Sequence, residues 1–311
     1  IFFAVIENDL RRVLAYSLIN QIGFMMVGIG IGTELGINGA VAHAFNDVIF
    51  KGLLFMSMGA VLYRTGRING SELGGLYKSM PKTAVLCIIG AASISAFPLF
   101  SGFVSKSMIM SAALKDNFDV VWLLLLFASA GVFHHAGIKI PYFAFFAHDS
   151  GIRCKEAPWN MLLAMSIAAA LCLTIGIFPE LLYQHLPFAT DYSAYDVSHI
   201  LTQTQLLFFS ALAFVWLNLK GLYPPELPST NLDVDWLYRR PLTRLINACG
   251  SIVRQTDGAV RRRIAVIGHT FEQRLATLHS GDGLFSRAIS ISSMVSLVVT
   301  ILAVLLVFRF F

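Results

Sequence analysis

The chain has 311 residues, a mean hydropathy of +0.70, 13% charged residues, 25 phenylalanines and a formal net charge of +5. This composition lies outside the range of soluble domains and points to an integral membrane protein. Unbroken apolar runs without period-2 alternation exclude a β-barrel, because backbone groups in lipid must then be satisfied within each segment, as helix.

Residues Ile1 to Asn8 are apolar but too short to cross a bilayer, spanning about 12 Å as helix. They carry no initiating Met and no basic signal-peptide region. We read them as the tail of a helix whose beginning is missing, which makes the chain a fragment or one part of a split protein. Seven windows then reach the roughly 20 apolar residues that a crossing needs: 13–33, 38–63, 83–114, 119–147, 157–180, 199–220 and 287–309. The expected fold is all-α and polytopic: seven full transmembrane helices plus the N-terminal stub, with broken helices and an amphipathic cytoplasmic helix.

The second window carries His43, Asp47 and Lys51 at i, i+4 and i+8, one stripe extending about 12 Å along a helix. Asp47 is placed to pair with Lys51, and making and breaking that pair would switch the lysine's proton affinity. The competing reading is a static ion pair that only fixes helix packing. Ionisable groups at bilayer depth are expensive and usually mark ion paths.

The third window is too long for one straight crossing, and midway it reads Ser95-Ala-Phe-Pro98-Leu-Phe-Ser101-Gly102. Pro98 cannot donate to the Ile94 carbonyl and Gly102 loosens the next turn, so the spacing predicts a helix broken at membrane depth. Lys106 follows one turn later, where freed carbonyls and water could receive its proton. The plainer alternative is a proline kink with a snorkelling lysine.

The fourth window, Phe133-His134-His135-Ala-Gly-Ile-Lys139-Ile-Pro141, repeats the device, with Pro141 removing the partner of Gly137 and His135 on the face of Lys139. Proton relay through His134 and His135 and ordinary packing both remain open at this point. Metal ligation is disfavoured, because adjacent histidines diverge by about 100° on a helix. No metal or cofactor is expected.

Between the sixth and seventh windows, the turn-rich Tyr223-Pro-Pro-Glu-Leu-Pro228 leads into residues 237–280, where apolar side chains recur at helical spacing with Arg between them. An interfacial amphipathic helix is expected there, interrupted near Gly258, with Trp236 and Tyr238 at headgroup level. It is either a lateral helix against neighbouring subunits or an anionic-lipid anchor held by Arg261, Arg262 and Arg263.

If the seven helices alternate, 18 of the 23 cations fall on one side, only Lys115 and Arg309 on the other, and Lys51, Lys106 and Lys139 in the membrane. The rich side, with residues 223–286, is expected to be cytoplasmic. The net charge follows from topology and needs no nucleic-acid partner. Cys87, Cys154, Cys172 and Cys249 show no ligand spacing and are expected as free thiols. Gly28, Gly30, Gly32 and Gly36 follow a membrane helix and not a strand, so they are no phosphate loop.

The runs Asp9-Leu-Arg-Arg12-Val-Leu-Ala-Tyr-Ser17, Gln21-Ile-Gly-Phe24, Phe50-Lys51-Gly-Leu-Leu-Phe55 and Phe97-Pro-Leu-Phe-Ser-Gly-Phe103 with Lys106 resemble the antiporter-like subunits shared by Mrp-type cation/proton antiporters, respiratory complex I and membrane-bound hydrogenases. The stretch Phe133 to Ser150 most resembles the D-type Mrp subunit. The resemblance covers the second of two inverted five-helix repeats and the C-terminal extension. It implies that Lys51 is the channel-linking lysine, His43 a connecting relay and Lys106 the terminal lysine of a half-channel. Asp47 departs from the family, which often has a second histidine there.

The expected organisation is a partial second repeat at 1–147, additional transmembrane helices at 148–222, the amphipathic segment at 223–286 and a final helix at 287–311. The implied function is a proton-translocating subunit of a multi-subunit Na+ (or other monovalent cation)/proton antiporter in a prokaryotic inner membrane. Its expected partners are the other subunits, including the first repeat, together with protons, cations and lipid. The alternatives are the pumping subunit of a redox-driven complex, for which this chain carries no redox motif, and a transport-inactive assembly scaffold.

Overall fold

The computed structural model describes residues 1–223, 226–228, 231–280 and 290–310. The chain divides into two units, residues 1–231 and 232–311. Pro224 and Pro225 of the turn-rich segment, and Arg287, one of the 18 cations counted on the basic side, lie outside the described residues.

The first unit begins with the short α1 (Phe2–Ile6) and the apolar α2 (Leu10–Ile31). Asp9 starts α2 by accepting hydrogen bonds from the Arg11 and Arg12 amides, and Gly32 ends it in the left-handed conformation. Thr33 caps α3 (Glu34–Thr65), whose 32 residues extend about 48 Å. Gly28 and Gly36 bring α2 and α3 into backbone contact, since a Cβ on either would press on the other's carbonyl oxygen. Those glycines therefore serve helix packing.

The third window is two helices, α4 (Pro81–Ile94) and α5 (Ser101–Lys115), separated by six residues that include Ala96 and Leu99 at positive φ, 57° and 74°. Left-handed backbone at non-glycine residues is uncommon and needs the surrounding structure to hold it. Gly102 acts differently from the expectation. A Cβ there would overlap the Ser93 carbonyl oxygen, so glycine is what lets the start of α5 lie against the end of α4. Glu156 closes the outer end of α4, accepting from the Lys82 amide at 2.8 Å and the Thr83 hydroxyl at 2.6 Å.

α6 (Asp119–Val132) continues without a break into π-helical turns at Phe133–Lys139 and Tyr142–Phe146, giving one span from Asp119 to Phe146. The expected break at Pro141 is absent. The wider turn changes which carbonyl each amide reaches, so the ring is seated by local rewinding rather than rupture. α7 (Trp159–Ile177), the short α8 (Glu180–Tyr183) and α9 (Val197–Leu219) complete the unit.

Six described helices are long and apolar enough to cross a membrane, and no strand occurs among the described residues. The protein is a polytopic helical membrane protein. Within the first unit α3 is the most enclosed span, 56% of its apolar window being buried against 17–33% for the others. Phe50, Leu53, Leu54 and Met58 of α3 form a core with Ala84, Cys87 and Ala91 of α4 and with Leu162 and Met165 of α7. The stripe of ionisable residues therefore runs through the centre of the unit.

The second unit contains α10 (Asp235–Leu237), a π-turn at Tyr238–Leu242, α11 (Thr243–His279) and the apolar α12 (Ile291–Phe310). α11 is amphipathic and runs unbroken for 37 residues, about 56 Å. The expected interruption near Gly258 does not occur. A single glycine costs a helix only about 1 kcal/mol, less than the rest of a long helix supplies.

Candidate functional site: a buried line of ionisable side chains

His43, Asp47 and Lys51 on α3 are 0%, 3% and 4% exposed, and Lys106 on α5 is 1% exposed. The His43 ring is held at both nitrogens: Nε2 lies 2.8 Å from Gln21 Oε1 and Nδ1 lies 3.0 Å from Ser105 Oγ. With the Gln21 oxygen accepting, Nε2 carries the hydrogen and Nδ1 accepts from the Ser105 hydroxyl. Turning the Gln21 amide and the Ser105 hydroxyl would reverse the polarity of this three-group chain without moving the ring. Phe24 and Phe50 enclose the imidazole.

Lys106 Nζ donates to the Ile94 carbonyl at 2.7 Å and lies 5.1 Å from the centroid of the Phe24 ring. Ile94 ends α4, and its carbonyl is the one Pro98 cannot serve. The next carbonyl, Ser95, accepts from Gln203 Nε2 at 3.0 Å. On α3, Asn46 Nδ2 donates to the Ser101 carbonyl at 2.8 Å. Side chains from α3, α5 and α9 thus satisfy the backbone that the break exposes, and Lys106 is one of them.

Lys51 is less firmly held, with the Leu14 carbonyl at 3.4 Å as its hydrogen-bond partner. The expected Asp47–Lys51 ion pair is not formed: no contact within 4.0 Å joins them, and Asp47 Oδ1 is buried without a hydrogen bond. Asp47 instead lies within electrostatic reach of both Lys51 and Lys106. One carboxylate faces two lysines and touches neither.

Lys139 is bound differently. It is fully buried, forms an ion pair with Glu226 at 2.8 Å, and donates to the carbonyls of Val5 and Glu7. Glu226, whose side chain is 6% exposed, comes from the segment after α9, and sequence spacing contained no signal for this partnership. The two histidines diverge, as adjacent helical residues must. His135 is buried, within electrostatic reach of Lys51, and neither ring nitrogen has a well-aligned hydrogen bond. His134 packs among the rings of Phe214 and Tyr223. Among the described residues no cluster of three or more His, Cys, Asp or Glu could hold a metal ion.

Residues 2–133 match the family "NADH:quinone oxidoreductase/Mrp antiporter, TM". Over these residues the chain is similar to the antiporter-type membrane subunits of that family. It is 31% identical over 191 residues to the putative antiporter subunit mnhD2 of Staphylococcus aureus, covering 61% of this chain and 38% of the relative. It is 29% identical over 201 residues to hydrogenase-4 component B of Escherichia coli, covering 57% of this chain and 30% of that protein. The chain therefore spans less than half the length of these relatives. The fold is shared with a chain of the Mrp complex from Dietzia sp. DQ12-45-1b, with a TM-score of 0.60 at 23% identity over 97% of this chain and 31% of that chain. The family match covers α1 to α6, which hold every residue of the buried line except Lys139 and its neighbours His134 and His135.

Proposed function

We propose that the chain is a proton-translocating subunit of a multi-subunit Mrp-type Na+ (or other monovalent cation)/proton antiporter, most like its D-type subunit. It would sit in a prokaryotic inner membrane with the basic loops and residues 223–286 on the cytoplasmic side. The observation that carries this reading is the shared carboxylate. Asp47 stands between Lys51 and Lys106 with no fixed partner, so its charge favours whichever lysine is protonated.

Each transfer moves one proton and leaves the donor neutral. When Lys51 gives up its proton, its attraction for Asp47 disappears, and the ammonium at Lys106 becomes the remaining counterion. His43, with Gln21 on one side and Ser105 on the other, supplies a reversible hydrogen-bonded bridge between α2, α3 and α5. Lys106 ends this line at the broken helix, where the Ile94 carbonyl replaces water around its ammonium group. His135 extends the line from Lys51 toward Lys139, whose fixed ion pair with Glu226 suits an electrostatic anchor better than a carrier. The subunits of the complex, including one bearing the first repeat, supply the remaining path and the cation site. Along α11, an apolar face 37 residues long favours lateral contact with neighbouring subunits.

Ion flux in vesicles containing the whole complex tests this. Lys51→Ala and Lys106→Ala should each abolish cation-driven proton movement while the complex still assembles, and retained flux in both refutes the reading. The likeness to the hydrogenase-4 component favours a second reading, the equivalent pumping subunit of a redox-driven complex. The subunits that co-purify separate the two, since a hydrogenase or quinone-reducing module would replace further antiporter subunits.

A further inference from the structure

Lys106 faces more than the Ile94 carbonyl. It lines a cavity of about 140 Å³ together with Ser107, Trp122, His199, Thr202 and Gln203. Water occupies about 30 Å³ per molecule, so a space of this size has room for a short file of waters, with Lys106, Ser107, Thr202, Gln203 and His199 as polar partners. At the cavity's far wall the His199 Nε2 lies 3.1 Å from Ser111 Oγ, and the same hydroxyl lies 3.0 Å from the Tyr192 hydroxyl. Ser111 is buried, whereas His199 and Tyr192 are half-buried. Tyr192 also lines an open depression with Glu180, Gln184, Thr190 and Asp191. Polar side chains thus run along one side of the route from Lys106 to the surface, with Phe103, Met110 and Leu114 forming an apolar wall of the cavity.

The route ends on a particular face. Residues 178–196 hold Glu180, Asp191 and Asp196 and no Lys or Arg, in contrast to the Arg- and Lys-rich loops at the other ends of the same helices. We propose that His199, with Ser111 and Tyr192, is the proton gate between the Lys106 cavity and the aqueous phase opposite the basic loops. This deepens the proposed function and rests on it.

The transfer balances through one imidazole. Lys106 loses a proton to the cavity water and becomes a neutral amine, and the water file delivers one proton to His199, forming the imidazolium. Its Nε2–H then passes a proton to Ser111, whose own hydroxyl proton moves to Tyr192, and Tyr192 releases one to the surface. The proton enters at Nδ1 and leaves from Nε2, so the imidazole is left as its other tautomer with the two hydroxyls turned; a ring flip and hydroxyl rotation reset them, while the neutral Lys106 awaits the next proton from the Lys51 side. A histidine suits the step because its ordinary pKa near 6.5 lets it load and unload at physiological pH. The charged groups facing it are Asp196, one turn before it on its own helix, and Lys106 across the cavity. From α5 and the preceding loop it meets only the hydroxyls of Ser111 and Tyr192.

The test uses the complete complex in sealed vesicles, with the pH varied on the side facing residues 178–196. His199→Gln keeps a hydrogen-bonding side chain but cannot titrate. It should assemble normally, lower flux by about a hundredfold, the lower end of what a placed proton donor contributes, and flatten the pH dependence on that side. Imidazole added to that compartment should restore part of the flux of His199→Ala. Unchanged rate and pH profile in His199→Gln overturns the gate. If that variant fails to assemble, Ser111→Ala decides instead, since it removes the hydroxyl bridge while leaving the imidazole. Normal flux there also overturns the proposal. Lys106→Ala separates the two levels: flux retained in Lys106→Ala refutes the proposed function itself, whereas flux lost there but intact in His199→Gln refutes only the gate.

Discussion

Lys106 Nζ lies 2.7 Å from the carbonyl of Ile94, the last residue of α4 and the group left without a backbone donor by Pro98. A lysine that would otherwise be an isolated buried charge thereby completes the helix break, and the break in turn gives the lysine a partner that stays in place whether the amine is charged or neutral. Lys106→Met should strand that carbonyl at a cost of about 1–3 kcal/mol, lowering the melting temperature of the purified complex. Lys106→Arg retains a donor and should melt near the parent. Equal melting of Met and parent would show that the carbonyl finds another partner.

Gly102 sets how closely the two half-helices approach. Gly102→Ala places a methyl against the Ser93 carbonyl and should destabilise by about 1–3 kcal/mol, as overpacking does. The backbone on that side cannot retreat as a side chain would. Gly30→Ala, where nothing lies within 4 Å of the added carbon, is the control. Thermal unfolding of the two variants should separate them, and equal stability would argue against the close approach.

The Lys139–Glu226 pair is buried on both sides. Glu226→Gln leaves a buried ammonium without its counterion, and breaking such a pair typically costs about 3–5 kcal/mol. The double variant Lys139→Met/Glu226→Gln should recover much of that loss, because the uncompensated charge is gone. A double-variant cycle with no coupling would show that the two carbonyls of Val5 and Glu7 alone hold the lysine.

Outside the membrane spans, Asp149 bonds Arg153 and Lys78, with 2.8 Å contacts to each. These bonds, Arg153 first, hold its carboxyl well below the usual carboxylate range. A depressed folded-state pKa contributes stability above the unfolded value, about 3.9, and that contribution disappears as pH falls through the folded value. Proteolysis of the 148–158 segment should therefore be insensitive to pH from neutrality down to about 4 and rise only in stronger acid. Asp149→Asn should raise cleavage at neutral pH and abolish the acid-dependent part. An acid-dependent rise that persists in Asp149→Asn assigns it to another group.

Much of this is legible in the residues themselves. The i, i+4, i+8 stripe of His43, Asp47 and Lys51 lies in the most enclosed of the long spans, because an apolar helix carrying charges on one face must turn that face away from lipid. Pro98 marks the interruption of the third crossing, and the carbonyl it frees is the one Lys106 reaches. Pro141 reads as a second break because a proline removes a donor in either case, and spacing does not distinguish rupture from a wider turn. Asp47 and Lys51 share a face without meeting, since helical spacing fixes direction but not the rotamers that tertiary packing selects. Glu226 and the Ser111–Tyr192–His199 mouth join segments far apart in the chain, and no local pattern records such pairings.

In the proposed function one unpaired carboxylate, Asp47, serves both Lys51 and Lys106. The decisive measurement is cation-driven proton flux by the complete complex carrying Asp47→Asn, a substitution that keeps the side chain's size and removes its charge. The expected result is assembly at parental levels with flux reduced about a hundredfold or more, in line with the loss of a placed proton-transfer group. Parental flux in the Asn variant would contradict it.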